Sequence, residues 1–259
     1  QADDWLTYLS EEDPLRKELA SINDEALLEE LFFKDLEFGT GGIRGELGPG
    51  TNRMNIYTVR KAATGLAHYI VEQGEEAMNR GVVIAYDSRH FSREFAHEVA
   101  KTVGKYGVKA YLFEKLHPTP LLSFAVRYLQ AFAGVVITAS HNPPQYNGLK
   151  VYGEDGGQLA LEASEMITSY IERSGNELPL EVADVDELVK NGLLVYIGEK
   201  IDRAYLDELM TIQLNRDAVQ SEADSLSIVF TPLHGTAKQH VVDGLAAFGF
   251  QNVTLVEEQ

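Results

Sequence analysis

Residues 82–113 read VVIAYDSRHFSREFAHEVAKTVGKYGVKAYLF, which is the pattern of one β-α-β unit. The run begins with five consecutive apolar residues, as is typical of a strand buried on both faces. A helical spacing of apolar residues follows from Ser92 to about Tyr106, and Lys109–Phe113 forms a second short apolar run. Because strands and helices that alternate in this way pack in layers, the sequence predicts an α/β fold.

The alternation continues on both sides of this unit. Upstream, the spacing of leucine and isoleucine residues predicts a helix over residues 14–33. Asn55 is placed to cap a second helix, which Gly74 is placed to end. Downstream, two further apolar runs predict strands at Gly134–Thr138 and Asn147–Tyr152.

The final part of the sequence starts a new pattern. After a predicted helix over residues 199–214, the segment 225–259 reads as a strand, a helix and a strand. A single β-α-β unit cannot bury both faces of its own sheet. We therefore predict a first domain over residues 1–214 and the truncated beginning of a second α/β domain over residues 215–259.

Charge is distributed unevenly along the chain. The sequence has 22 basic and 40 acidic side chains, and this net charge of −18 argues against a surface for nucleic acid or an anionic membrane. Residues 38–150 nevertheless hold 13 basic and 8 acidic side chains, whereas residues 1–37 hold 3 and 12 and residues 151–259 hold 6 and 20. A positive segment in an acidic protein indicates a site for a small anion, and solvated acidic flanks are the alternative explanation.

The composition excludes several classes of protein. The absence of cysteine excludes a disulfide framework, a thiolate zinc site and a cysteine nucleophile. The longest apolar run, Ala131–Ala139, is too short to cross a bilayer, and the acidic N-terminal residues do not form a signal peptide. We therefore expect a soluble, cytoplasmic protein with no membrane partner. The sequence does not indicate its oligomeric state.

The segment after the strand predicted at Gly134–Thr138 carries the strongest chemical signal. It reads Thr138-Ala139-Ser140-His141-Asn142-Pro143-Pro144, so Ser140 stands at the edge of the sheet, where active sites of α/β proteins collect. Its two prolines stiffen the loop, as a nucleophile held at a fixed distance requires. If the strands on either side pair as a hairpin, Lys150 returns to the neighbourhood of Ser140. Taken alone, the segment also fits a capping serine and a surface histidine.

A second segment suits the binding of an anion. In Phe38-Gly39-Thr40-Gly41-Gly42-Ile43-Arg44-Gly45, the glycines let the backbone approach a ligand closely, and Arg44 offers a bidentate phosphate ligand. The segment lacks the lysine that closes a Walker loop and the strand-turn-helix frame of a dinucleotide site. The sequence also lacks the Gly-x-Ser-x-Gly elbow of hydrolases. A plain loop with a surface arginine is the alternative interpretation.

These two segments, together with Asn147-Gly148-Leu149-Lys150, resemble the α-D-phosphohexomutase family. Within that family, Gly153-Glu154-Asp155-Gly156-Gly157-Gln158-Leu159 is most similar to the bacterial phosphoglucomutase branch. The resemblance extends over essentially the whole chain, including Asp87-Ser88-Arg89, His117-Pro118-Thr119-Pro120 and the segment 231–236. It implies a mixed sheet sandwiched between helices, as in the first domain of the phosphohexomutase fold.

The resemblance also implies a reaction and roles for individual residues. In this family, the serine that matches Ser140 carries a phosphoryl group and donates it to a hexose 1- or 6-phosphate through a bisphosphate intermediate. Phosphoryl transfer depends mainly on alignment and charge neutralisation, which suits Arg44 as a cation and Lys150 as a general acid or base. His141 is the candidate for a second proton carrier. Gly41, Gly42 and Asn142 would shape or support the phosphate site, and Arg89 and Thr119 would brace the cleft.

The resemblance further implies Mg²⁺ and glucose 1,6-bisphosphate as cofactors and small hexose phosphates as substrates. Ser140 would bind the magnesium ion through its phosphate. The Asp-Gly-Asp-x-Asp loop that supplies the other ligands in the family does not occur in this sequence, and Asp184-Val185-Asp186 reads as solvated surface. We therefore interpret the chain as the N-terminal part of a phosphoglucomutase-like enzyme, and we expect it to be inactive on its own.

Two alternatives remain open at this point. The family includes sibling enzymes, namely phosphomannomutase, phosphoglucosamine mutase and phosphopentomutase, and the loop that selects the sugar is not in this sequence. A non-catalytic sugar-phosphate binding module would keep the fold and lose the chemistry. The presence of Ser140, Lys150 and Arg44 argues against such a module, because site residues rather than the fold decide function.

Overall fold

The computed structural model describes residues 1–257, and within them the chain forms twelve helices and eight strands. The helices are α1 Ala2–Tyr8, α2 Pro14–Ser21, α3 Glu25–Phe32, α4 Ile56–Glu72, α5 Glu75–Arg80, α6 Ser92–Lys105, α7 Thr119–Tyr128, α8 Leu161–Arg173, α9 Val185–Lys190, α10 Glu199–Thr211, α11 Arg216–Glu222 and α12 Lys238–Phe248. The strands are β1 Gly42–Glu46, β2 Val82–Tyr86, β3 Ala110–Phe113, β4 Ala133–Ile137, β5 Tyr146–Tyr152, β6 Leu194–Ile197, β7 Ile228–Phe230 and β8 Val253–Leu255.

Six strands form one mixed sheet in the order β1-β5-β4-β2-β3-β6. Strands β4, β2, β3 and β6 are parallel to one another, whereas β5 runs antiparallel to both of its neighbours, β4 and β1. The predicted α/β class, with a mixed sheet between helices, is therefore confirmed.

The core lies on both faces of this sheet. Every residue of β2 is buried, with Val82, Ile84 and Tyr86 in the cluster beneath α4 and α6, and Val83 and Ala85 in the cluster beneath α7. Residues of a strand point alternately to opposite faces, so a strand covered by helices on both sides must be apolar throughout. This requirement explains the continuous apolar run in the sequence.

Near the N-terminus, the prediction of one helix over residues 14–33 is wrong. The segment forms two helices, α2 and α3, separated at Ile22–Asp24. The Asp24 carboxylate accepts hydrogen bonds from the backbone amides of Ala26 and Leu27, and therefore caps α3. Asparagine and aspartate favour such local bonds over a continuous helix. The apolar spacing alone therefore did not reveal the break between the two helices.

The last part of the described chain forms the predicted β-α-β unit. Strands β7 and β8 pair in parallel as a separate sheet of two strands, and α12 packs against α10. One face of this small sheet is uncovered, since Val229 is 73% exposed. The proposed boundary at residue 214 stays a prediction. Within residues 1–257, each helix is too short or too polar to cross a membrane.

Candidate functional site

Ser140 lies in the turn between β4 and β5, at the carboxyl edge of the parallel strands. Strands β4 and β5 pair as an antiparallel hairpin, which places Lys150 opposite Val136. The Lys150 ammonium donates a hydrogen bond of 2.7 Å to the Ser140 hydroxyl oxygen. The expectation that strand pairing returns Lys150 to Ser140 is therefore confirmed as geometry.

The backbone of Ser140 adopts a left-handed conformation, with φ of +54°. Residues other than glycine rarely occupy this region, and holding one there costs on the order of 1–3 kcal/mol. The serine is exposed to solvent, and its backbone amide donates to the Thr138 hydroxyl at 2.9 Å. The turn therefore presents the hydroxyl of Ser140 outward at a fixed position.

Arg89 holds the Ser140 turn in place from the turn that follows β2. Its guanidinium donates to the carbonyl oxygens of Ser140 at 2.8 Å, Asn142 at 2.6 Å, Pro143 at 2.9 Å and Tyr146 at 3.1 Å. These four hydrogen bonds bring four carbonyl groups of the turn onto one guanidinium, although the Pro143 carbonyl also accepts from the Tyr146 amide. Arg89 therefore acts on the position of Ser140 through the backbone.

Two further polar side chains fix Arg89 and the start of β5. The Asp87 carboxylate accepts hydrogen bonds from the Arg89 amide and the Ser92 hydroxyl, and it lies 3.6 Å from the Arg89 guanidinium. The Asn147 side chain is fully buried and donates to the His90 carbonyl and the Ser92 hydroxyl. The turn after β2 and the turn after β4 therefore form one hydrogen-bonded structure.

Asn147 belongs to the motif Asn147-Gly148-Leu149-Lys150, but no role was predicted for it from the sequence. The signal was present, because an amide side chain in an otherwise apolar strand must find hydrogen-bond partners when it is buried.

Arg44 reaches the Ser140 turn from the outer strand, β1. Arg44 is exposed, lies opposite Gly148 in the register, and donates to the side-chain oxygen of Asn142 at 3.0 Å. A Cβ atom on Gly148 would lie 2.8 Å from the Ile43 carbonyl oxygen and 2.9 Å from that of Thr138. The close approach of the three backbones at Gly148 therefore allows Arg44 to lie beside the turn.

Gly41 and Gly42 have a supporting place in the structure. Gly41 has a φ of +92°, which favours glycine, and its carbonyl accepts a hydrogen bond from the Val151 amide. Gly42 lies directly opposite Lys150, and a Cβ atom there would be 2.1 Å from the Leu149 carbonyl oxygen. The glycines thus let β1 pair closely with β5 next to Lys150.

His141 and Thr119 differ in their relation to Ser140. His141 is exposed beside the serine, and its side chain makes no hydrogen bond within the part of the chain that the structure describes. Thr119 begins α7, where its side chain is hydrogen-bonded to Tyr152 rather than to the Ser140 turn. Burial raises the pKa of Tyr152, and the Thr119 hydrogen bond lowers it in part, so Tyr152 remains protonated at neutral pH.

The site is positively charged. Arg44 and Lys150 contact the turn with their charged ends, while the nearby acids are occupied by other groups. Asp87 is bonded to Arg89 and Ser92. The Glu46 carboxylate is hydrogen-bonded to Tyr146, and this bond raises the pKa of the tyrosine. Such an arrangement suits an anion with several oxygen atoms, such as a phosphate.

The residues near Ser140 do not form a metal site of their own. Across residues 1–257, the one group of three histidine or acidic side chains close enough to share an ion is His117, Asp202 and His240. Those three residues lie on α10, on α12 and in the loop before α7, and none of them is a predicted site residue.

The chain is similar to known proteins over most of its length. Residues 35–177 match the family model described as phosphoglucomutase/phosphomannomutase, alpha/beta/alpha domain I. The phosphoglucomutase of Staphylococcus haemolyticus is 41% identical over 257 residues, which is 99% of this chain and 45% of the relative. A phosphoglucomutase of Staphylococcus epidermidis is 43% identical over 225 residues, covering 86% of this chain and 39% of the relative. The chain thus spans less than half the length of these curated relatives.

Solved structures share the same architecture. A protein from Thermus thermophilus assigned as a phosphomannomutase superposes with a TM-score of 0.69 and 27% identity, over 87% of this chain and 46% of that one. Parafusin from Paramecium, a phosphoglucomutase, superposes with a TM-score of 0.62 over 85% of this chain and 44% of its own. Its identity of 13% supports the fold alone.

Proposed function

This chain belongs to the phosphoglucomutase/phosphomannomutase family, as the resemblance predicted, and we propose that it carries the phosphoryl-transfer serine of an enzyme that interconverts glucose 1-phosphate and glucose 6-phosphate. The observation that carries the proposal is the 2.7 Å hydrogen bond between Lys150 and Ser140. A protein that only bound sugar phosphates would not require a lysine ammonium hydrogen-bonded to the hydroxyl of an exposed serine in a strained backbone conformation. Two relatives named phosphoglucomutase, at 41% and 43% identity, favour glucose over the sugars of the sibling enzymes.

In the proposed first half-reaction, a phosphoryl group on Ser140 moves to a free hydroxyl of a hexose phosphate. The bond from phosphorus to the serine oxygen breaks while a bond to the sugar oxygen forms. The serine oxygen takes a proton from Lys150, which already lies at hydrogen-bond distance. The sugar hydroxyl loses its proton to a base, for which the exposed His141 is our candidate. The bisphosphate then returns its other phosphoryl group to Ser140 by the reverse steps.

Charge and alignment supply the rest of the proposed catalysis. Negative charge on the transferring group is neutralised by Lys150 and by Arg44, which is held at the turn through Asn142. Alignment comes from Arg89, because its four hydrogen bonds fix the turn that carries Ser140. Thr119 and the glycines Gly41 and Gly42 support the strands behind the site.

The residues at Ser140 do not fit a complete magnesium site. Mg²⁺ takes about six oxygen ligands and usually keeps several waters. A phosphate on Ser140 would offer it oxygen atoms, but the neighbouring side chains are the cations Lys150 and Arg44, and Asp87 is bonded to Arg89. We therefore propose that Mg²⁺ binding needs ligands that residues 1–257 do not provide.

Glucose 1,6-bisphosphate is the proposed intermediate and the proposed donor of the phosphate on Ser140. The lack of cysteine suits the reducing cytoplasm as the proposed location.

The proposal is tested by locating the phosphate. The full-length protein is incubated with glucose 1,6-bisphosphate, digested and analysed by peptide mass spectrometry. We expect stable phosphate on Ser140. Phosphate on another serine, with Ser140 unmodified, would overturn the proposal.

A second assay separates this chain from the full-length protein. We expect the full-length enzyme to convert glucose 1-phosphate to glucose 6-phosphate, and residues 1–259 alone to give no multiple turnover and no tight Mg²⁺ binding by calorimetry. Clear turnover by the short chain would show that this chain already holds every group the reaction needs.

A further inference from the structure

Three side chains from distant parts of the sequence meet where α12 packs against α10. His117 lies in the loop before α7, Asp202 on α10 and His240 on α12. One oxygen of Asp202 lies 2.7 Å from Nε2 of His117 and 3.3 Å from Nε2 of His240. The side chains of the two histidines are 3% and 14% exposed, whereas that of Asp202 is 36% exposed.

The contact between His117 and Asp202 requires a positive species, either a proton or a metal ion, between the two side chains. Its Nδ1 lies 2.8 Å from the Lys115 carbonyl oxygen, which can only accept, so Nδ1 carries a hydrogen. In the neutral ring, Nε2 then carries a lone pair, which faces the Asp202 oxygen at 2.7 Å. Two acceptors at this distance repel each other unless a positive species binds both.

We propose that His117, Asp202 and His240 bind a divalent transition-metal ion, with Zn²⁺ as the best fit, in a site separate from Ser140. Two imidazole nitrogens and one carboxylate oxygen form a donor set that zinc accepts with a water as fourth ligand. Magnesium and calcium prefer oxygen ligands, and this set offers one carboxylate.

The surroundings of His117 match those of a histidine that binds a metal ion. Histidine ligands usually donate their second N–H to a carbonyl or carboxylate, as His117 does to Lys115. The His117 ring stacks on the buried Phe113 ring with centroids 3.9 Å apart, which fixes its plane. His240 lacks this second hydrogen bond, because its Nδ1 is buried and has no hydrogen-bond partner among the residues that are described.

Binding of an ion requires the ligand atoms, which lie within 4.8 Å of one another, to adjust their separations. Ligand atoms about 2.0–2.1 Å from a tetrahedral zinc ion lie about 3.4 Å apart. The separation of His240 and Asp202 already has this value, at 3.3 Å, whereas that of His117 and Asp202 must widen. Asp202 borders a cavity of about 240 Å³ beside His240, which gives its carboxylate room to rotate and a water room to bind.

Such an ion would join two parts of the chain. His117 follows β3 in the first sheet, while His240 belongs to the β7-α12-β8 unit, whose own sheet has two strands. A metal ion that binds only the docked arrangement stabilises it in proportion to ligand concentration. Zinc is therefore expected to raise the melting temperature of the β7-α12-β8 unit within this chain.

The test uses the chain of residues 1–259, freed of metal by a chelator and then titrated with ZnCl₂ or MgCl₂ by calorimetry. We expect one Zn²⁺ per chain, with MgCl₂ giving no signal at the same concentrations. The variants His240→Gln and Asp202→Asn should weaken zinc binding by more than about 100-fold, since losing even a hydrogen-bond partner of a ligand costs 10–100-fold. His97→Gln, a histidine on α6 outside the cluster, is the matched control and should bind zinc like the unaltered chain.

Two further measurements keep the outcome decisive. Circular dichroism in chelator establishes that each variant is folded, and Co²⁺ in place of Zn²⁺ should give the visible absorption bands of a tetrahedral site. The proposal is overturned if the chain binds no zinc. It is equally overturned if His240→Gln and Asp202→Asn bind zinc as tightly as the unaltered chain. Neither result depends on whether Ser140 is phosphorylated.

Discussion

The parallel and antiparallel halves of the sheet differ in composition and in role. In the parallel half, all five residues of β2 and of β4 are buried. In the antiparallel half, β5 and β1 are buried only in part, with Lys150 half-buried and Arg44 exposed, and glycines bring their backbones close together. The residues that hold the fold together are therefore largely separate from those that face a ligand.

The difference follows from how each half is covered. Helices pack on both faces of parallel strands, so polar side chains there would be buried without partners. An antiparallel strand near an edge can leave one side to solvent, and Lys150 and Arg44 use that side. Substitutions at the antiparallel edge and its turn should therefore lower activity, whereas substitutions in the buried parallel strands should lower stability.

The largest effect is expected from Ser140→Ala in the full-length enzyme. Activity should fall by several orders of magnitude, because the covalent relay has no acceptor. The measurement is the conversion of glucose 1-phosphate to glucose 6-phosphate, together with the melting temperature. Ser140→Gly is the matched control for backbone strain, since glycine accepts a φ of +54°. It should be equally inactive and at least as stable as the alanine variant. Activity within tenfold of the unaltered enzyme in either variant would refute the role of Ser140.

The next largest effect is expected from Lys150→Ala. Turnover should fall by roughly 10²–10⁴-fold because the serine oxygen loses its proton donor. The free energy of unfolding, measured with urea, should change by less than about 0.5 kcal/mol, as for a surface residue. Lys109→Ala, next to β3 in the parallel half, is the control and should leave turnover unchanged. Near-normal turnover of Lys150→Ala would make Lys150 an ordinary surface lysine.

A smaller loss of activity is expected from Arg89→Lys. A lysine ammonium cannot reproduce the planar array that bonds four carbonyl groups, so the Ser140 turn should shift. A displacement of about 1 Å at the reacting atom lowers the rate by about 10²-fold, and the loss should fall on kcat rather than KM. Arg93→Lys, on the exposed side of α6, is the matched control. A loss confined to KM would contradict a positioning role.

The smallest effect on activity, with a large effect on stability, is expected from Ile84→Ala. Ile84 is fully buried in the parallel half, and the cavity should lower the free energy of unfolding by about 2–5 kcal/mol. Turnover per folded molecule should stay within a few-fold of normal, as measured well below the melting temperature. A hundredfold loss of kcat in the folded variant would show that the two halves are not separate.

The sequence predicts the parallel half better than the antiparallel half for a physical reason. The apolar runs of β2 and β4 are local signals, and so is the turn that returns Lys150 to Ser140. Two strands at the edges of the sheet were not predicted. Strand β1 was missed because glycine is rare in strands and two of its five residues are glycine, and β6, in the parallel half, was missed because it has four residues. The place of β1 depends on close contact with β5, which a local pattern does not contain.

Contacts between distant residues could not be predicted from spacing at all. Arg89 was expected to brace the cleft, but its four bonds to the Ser140 turn join residues more than 50 positions apart. The meeting of His117, Asp202 and His240 depends on how α12 packs against α10. These arrangements follow from tertiary packing, which the sequence encodes only through the whole fold.

The position of β1 at the end of the sheet has a consequence for the order of folding during synthesis. Gly42 pairs with Lys150, so β1 leaves the ribosome about a hundred residues before its neighbour in the sheet exists. At 5–20 residues per second, this interval lasts roughly 5–20 s. The β2-α6-β3 unit is complete in that time and makes mainly local contacts, which form early. The edge that presents Arg44 and Lys150 is therefore added to strands that already exist, and β6, at the opposite edge of the sheet, is synthesised later still.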